Sequence, residues 1–202
     1  MKRTLALVLL LTATPFALAD DALTLAVKND YTDHLQALFI DFHTHPELSF
    51  REECTAAILA GELRAAGFDV TEHVGGTGLV AIMKNGAGPM VMMRADMDGL
   101  PVVEKSGLPY ASTDTQTDMS GDLMPVMHAC GHDVHITSLI GTARRMAATR
   151  NQWSGTLMLI GQPAEETIGG AKAMMDDQLW QGFASPIWRL PFMCLQTLKR
   201  AI

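Results

Sequence analysis

The chain has 202 residues, 48% of them hydrophobic and 18% charged, with a formal charge of −7. That composition suits one globular domain with a sizeable core, and the acidic balance gives no support for nucleic-acid binding, where a basic face is expected. Three widely spaced cysteines, Cys54, Cys130 and Cys194, are no disulfide scaffold; at least one must stay free or bind something, and Cys130 is the candidate.

Residues 1–19 have the layout of a secretory signal peptide. Lys2 and Arg3 form a basic start, Leu5 to Leu11 an apolar run, and Ala17-Leu18-Ala19 a small-x-small cleavage site. The run is shorter than the roughly 20 residues a bilayer needs, and Pro15 interrupts it, which disfavours a membrane anchor. The expected mature chain starts at Asp20, is periplasmic or secreted, and has no membrane attachment. Losing two cations and no acid takes its charge from −7 to −9.

Leu35, Leu38, Phe39 and Phe42 recur at helical spacing within a helix predicted over 23–42, and His45-Pro46 should stop it. A second helix begins at Glu52 and Glu53, which favour the positive end of the dipole, and ends at Gly67. Strands are predicted over 68–70, 79–83 and 90–93, with turns at Gly75-Gly76-Thr77-Gly78 and at 85–88 between them. After a loop over 100–125 comes a helix over 133–148 with Asp133 as its N-cap, a buried-type strand over 156–160, and a helix over 171–175. Strands alternating with helices predict an α/β fold, a sheet flanked by helices on both faces.

The segment from Gln178 to Ile202 differs, holding no Asp or Glu, two of the three tryptophans (Trp180 and Trp188), and Pro186 and Pro191. It reads either as a tail packed on the domain or as a stretch never selected to fold with it.

Three clusters carry chemistry. His128-Ala129-Cys130-Gly131-His132-Asp133 puts a thiol and two imidazoles within five positions, donors suited to zinc or a neighbouring divalent metal. A buried cysteine with capping histidines would give the same string. Gln162-Pro163-Ala164-Glu165-Glu166 follows a strand, where ligands bind in open α/β sheets. One carboxylate there can bind metal while the other takes a proton, although paired glutamates alone also fit a solvated loop. Arg94-Ala95-Asp96-Met97-Asp98 follows another strand, and Asp96 or Asp98 could orient a metal-binding imidazole.

These clusters, with His45-Pro46-Glu47-Leu48-Ser49, Gly75-Gly76-Thr77-Gly78, His135 and Gly169-Gly170-Ala171, stand in an order that resembles the M20 peptidase-like amidohydrolases. That group includes hippurate hydrolases, N-acyl-amino-acid amidohydrolases and auxin-conjugate hydrolases. The similarity covers about residues 35–179. It implies a mixed sheet flanked by helices, the N-terminal part of an M20-type catalytic domain over 20–180 without its inserted lid domain. It also implies two divalent ions (zinc, manganese or cobalt), with Cys130 binding or bridging them and His132 and Glu166 as ligands. Glu165 would be the general base and Asp98 the supporting acid. The substrate would be a small N-acyl or N-aroyl amino acid, cleaved at its amide bond.

The family pattern has two further metal-binding histidines downstream, whereas the last of the seven histidines here is His135. The expectation is therefore a truncated or frameshifted chain with an atypical tail over 181–202, poorly soluble and inactive. A non-catalytic metal- or thiol-binding module and a metallopeptidase of the same superfamily remain alternatives.

Overall fold

The computed structural model describes residues 16–183 and 188–191. The basic and apolar parts of the predicted signal peptide, and residues 192–202 of the tail, lie outside the described residues; the Ala17-Leu18-Ala19 motif lies within the first helix. No helix among the described residues is long and apolar enough to cross a membrane.

The first predicted helix is a longer, interrupted one. Helix α1 (Phe16–Asp30) passes through a π-helical turn (Tyr31–Leu35) into α2 (Gln36–Thr44). At the junction, buried Asp30 accepts from the Arg144 guanidinium (Nη2···Oδ1 2.7 Å), which ties this helix to α4 (His132–Ala148). Helix α3 (Glu53–Ala65) presents Leu59, Ala60 and Leu63, all fully buried. Its first amides are held by Glu47, whose carboxylate accepts from Cys54 N (3.1 Å) and Thr55 N (2.7 Å). Glu52, predicted to favour the helix dipole, sits at the N-cap with its carboxylate turned elsewhere.

Strands β1 (Asp69–Glu72), β2 (Leu79–Asn85) and β3 (Met90–Asp96) follow, then a short hairpin of β4 (Thr115–Thr117) and β5 (Leu123–Pro125) inside the predicted loop. After α4 come β6 (Gly155–Gln162), α5 (Gly170–Asp176), α6 (Leu179–Gly182) and β7 (Trp188–Pro191). The main sheet runs β1-β2-β6-β3-β7; β2 pairs antiparallel with β1 and β6, and β3 pairs parallel with β6 and β7. Residues 188–191 of the acid-free tail thus form an edge strand of the sheet.

Alternation along the strands builds two cores. Leu157 and Leu159 of β6 join Leu79, Ala81, Met83 and Ala95 beneath α3 and α4. Met158 and Ile160 face the opposite way and meet Val80, Met92, Met174 and Leu179 beneath α5 and α6. With helices on both faces, β6 is a buried strand, and its last residue, Gln162, pairs in register with Asp96, the last residue of neighbouring β3. Both of the following loops therefore leave the sheet side by side.

Candidate metal centre

At that edge the backbone gathers four separate segments. Gly99 N donates to Glu47 O (2.6 Å), Leu100 and Met127 exchange backbone hydrogen bonds (2.9 and 3.0 Å), and Met97 N donates to Gln162 O (3.0 Å). Asp98, 1% exposed, sits at the centre. Its carboxylate accepts from Ser49 Oγ (2.6 Å), Glu165 N (3.1 Å) and Glu166 N (3.0 Å). Burial pushes the Asp98 carboxyl up, but the hydrogen bonds from His132, Ser49 and the Glu166 amide outweigh it and hold the group below the usual carboxylate range.

The carbonyl of Asp98 fixes His132. A carbonyl only accepts, so the 2.7 Å contact makes His132 Nδ1 the donor and aims Nε2 outward. Nε2 lies 3.8 Å from Glu165 Oε2 and 3.9 Å from Glu166 Oε1. These gaps are too long for hydrogen bonds and suit donors placed around a cation with bonds of about 2 Å. Glu166 Oε1 is buried without a hydrogen-bond partner, an acceptor with nothing to accept. The donor set of imidazole and two carboxylates fits a divalent metal. Burial disfavours a charge on His132, yet the Asp98 hydrogen bond and the Asp96 and Asp98 charges outweigh it and raise the ring to about 9. The site thus attracts positive charge. Glu165 has 43% of its side chain exposed and Glu166 16%, so Glu165 is the freer of the two to reach a substrate.

The paired glutamates sit on a constrained loop. Ala164, at φ 48, and Ile168, at φ 56, are in the left-handed region that disfavours side chains, and Gly169 N and Gly170 N both return to Ala164 O (3.1 Å). Gly170 is required by close approach: a Cβ there would lie 1.6 Å from Pro163 O. Ala164 N donates to Oε1 of the fully buried Glu52 (2.8 Å), whose Oε2 accepts from Thr77 Oγ1 (2.5 Å). The Gly75-Gly76-Thr77-Gly78 turn is thereby linked to the glutamate loop.

Gly131, at φ 79, caps α4, so Asp133 falls inside the first turn rather than at the N-cap. Asp133 Oδ2 binds His43 Nδ1 (2.7 Å), while His43 Nε2 binds Glu104 Oε1 (3.0 Å). This buried bridge joins α2, the loop after β3 and the start of α4. His43 lies in no motif that marks it in the sequence, and Glu52 was marked only as an acid at a helix start. Of the other predicted residues, half-buried Cys130 belongs to neither of the two donor groups among the described residues. His45 stays exposed on Asp41. His128 is buried with both ring nitrogens lacking a hydrogen-bond partner, and burial drives it down to about 4.

Residues 92–190 match the profile of peptidase family M20/M25/M40, reaching past the point near residue 179 where the resemblance was expected to fade. A hippurate hydrolase of Campylobacter jejuni is 44% identical over 144 residues, 71% of this chain and 35% of that protein. An IAA-amino acid hydrolase of Arabidopsis thaliana is 35% identical over 154 residues, 76% of this chain and 33% of that protein. A solved Bacillus subtilis structure, described as a dinuclear metal-binding peptidase of the M20 family, is similar with a TM-score of 0.69 and 32% identity, covering 82% of this chain and 43% of that one. The chain spans about a third of the length of the curated relatives it matches.

Proposed function

This chain belongs to the M20 peptidase family, and from that premise we propose that its site hydrolyses the amide bond of small N-acyl or N-aroyl amino acids, with Glu165 moving the proton. The observation that carries the reading is the placement of the paired glutamates by one buried carboxylate. Asp98 takes both their backbone amides and orients His132, so a fixed imidazole, a half-hidden carboxylate and an open carboxylate converge. The relatives named for hippurate and for IAA-amino acid conjugates act on amides of this kind, which supports the substrate class.

In this reading His132 and Glu166 hold a divalent cation, zinc, manganese or cobalt, and Cys130, separated from His132 by the left-handed Gly131, is a further donor toward a second one. A cation held there supplies Lewis acidity toward an amide carbonyl and a nearby water. Glu165 accepts the proton of the attacking water and delivers it to the departing amine. Asp98 keeps His132 in the tautomer with Nε2 free. His132, Glu166 and Cys130 would equal the three protein ligands of a minimal catalytic site, and Glu165 stays free to move the proton. Export through residues 1–19 is proposed on the sequence pattern alone.

Release of free amino acid from N-benzoyl and N-acyl amino acids by the cation-loaded protein tests the reading. Glu165→Gln is expected to lower any release by about 10²–10⁴-fold, the usual contribution of a general base. Release that is indifferent to Glu165→Gln, or that needs no cation, contradicts it.

A further inference from the structure

His132 belongs to a second group of donors besides the one it forms with the paired glutamates. His135 lies three residues on along α4, on the same helix face, its ring 5.1 Å from that of His132. Asp96, the last residue of β3, comes up beside both. Asp96, His132 and His135 each offer a donor atom within 4.8 Å of the others. They are only 3%, 3% and 8% exposed. His135 Nδ1 stands 3.9 Å from Asp96 Oδ2, beyond hydrogen-bond length.

A second observation points to a ligand. Arg94 reaches Asp96 Oδ2 (3.1 Å), but Asp96 Oδ1 is buried without a hydrogen-bond partner. A desolvated carboxylate oxygen beside two imidazoles is costly unless something positive meets it. Two imidazoles and one carboxylate form a three-ligand set that zinc accepts.

We propose that Asp96, His132 and His135 form a second capture position for a zinc-like divalent cation, alternative to the one at His132 and Glu166 beside Glu165. It rests on the reading above only in taking His132 as a ligand. Because Nδ1 of His132 is committed to the Asp98 carbonyl, Nε2 is the atom left for either position. One lone pair holds one cation, so the two positions exclude each other and His132 is their pivot. Loss of either flanking pair leaves the other position able to load.

Zinc affinity, measured by competition with a chromophoric chelator, separates the two positions. Glu165→Gln/Glu166→Gln and Asp96→Asn/His135→Gln proteins, each checked for wild-type circular dichroism, are expected to bind zinc, weakened by about ten- to a hundredfold. Zinc lost with the glutamates alone overturns this inference and leaves the earlier reading standing. Zinc indifferent to the glutamates but lost with Asp96 and His135 supports the inference and overturns the earlier reading; no zinc on wild type overturns both. His135→Cys, made in the Cys130→Ser/Glu165→Gln/Glu166→Gln background so that no neighbouring thiol contributes, gives a positive test. Loaded with cobalt, it is expected to gain a thiolate-to-cobalt absorption band absent from its parent, and no new band overturns the proposal.

Discussion

Asp98 carries more of the site than any other side chain. Three donors from two segments converge on its carboxylate, and its own carbonyl orients His132. Asp98→Asn keeps the shape but turns an amide NH2 toward those donors. It should cost about 1–3 kcal/mol of stability, the penalty of a buried group left unpaired, and weaken cation binding by about ten- to a hundredfold. Chemical denaturation and chelator competition on the same protein measure both; a variant unchanged in both would remove Asp98 from the account. His43 lends itself to a pH test. Burial lowers its pKa, but the hydrogen bonds to Asp133 and Glu104 more than offset this, so the folded ring sits above 6.5. A raised folded value means stabilisation that is full below the unfolded pKa and is lost as pH rises through the folded one. The destabilisation by His43→Gln should therefore be larger at pH 6 than at pH 9, read from denaturation midpoints. A gap that stays constant or widens contradicts the ion-pair bridge. The roles of Asp96 and Asp98 were only half legible: either residue in the string suited a supporting acid, and only the fold shows that Asp98 takes the glutamate amides while Asp96 faces Arg94 and His135. Glu52 looked like a helix-dipole acid because a sequence does not show that a loop more than a hundred residues later needs its carboxylate.

Among the elements, strands ran longer than their apolar runs suggested. Strand β3 continues to Asp96 and β6 to Gln162 because the ladder persists into residues chosen for chemistry rather than for burial. The β4–β5 hairpin was not legible at all, since Thr115–Thr117 and Leu123–Pro125 are too short to show alternation. Hydrogen bonds from a side chain hold it in place: Gln116 accepts from Leu48 N (2.6 Å) and donates to Arg51 O (3.2 Å). The glutamate loop is the element most sensitive to a single atom. Gly170→Ala drives a Cβ into Pro163 O and must displace the backbone that carries Glu165 and Glu166. The expected cost is about 1–3 kcal/mol, as for an overpacked core, together with weaker zinc binding. Gly61→Ala, where a Cβ meets nothing within 4 Å, is the helix control and should leave zinc binding unchanged. Equal zinc affinity in the Gly170→Ala protein would show that this loop does not position the pair.

For the molecule as a whole, the helix-strand alternation correctly indicated a sheet covered on both faces. The order in which strands pair was not legible, because β6, late in the sequence, inserts between β2 and β3. That insertion places the glutamate loop next to the Asp96–Asp98 segment and below the start of α4. Donors at 132, 165 and 166 meet only when β3, α4 and β6 are assembled, so cation binding and global folding are linked. Zinc should stabilise the folded chain by about 2.7 kcal/mol at a free concentration a hundred times its dissociation constant. The most direct measurement is the thermal unfolding midpoint with and without zinc, for the wild-type protein and for His132→Gln. A midpoint that rises with zinc in the wild type and not in His132→Gln is the predicted result; an equal rise in both, or none in the wild type, would contradict a cation centre built on His132.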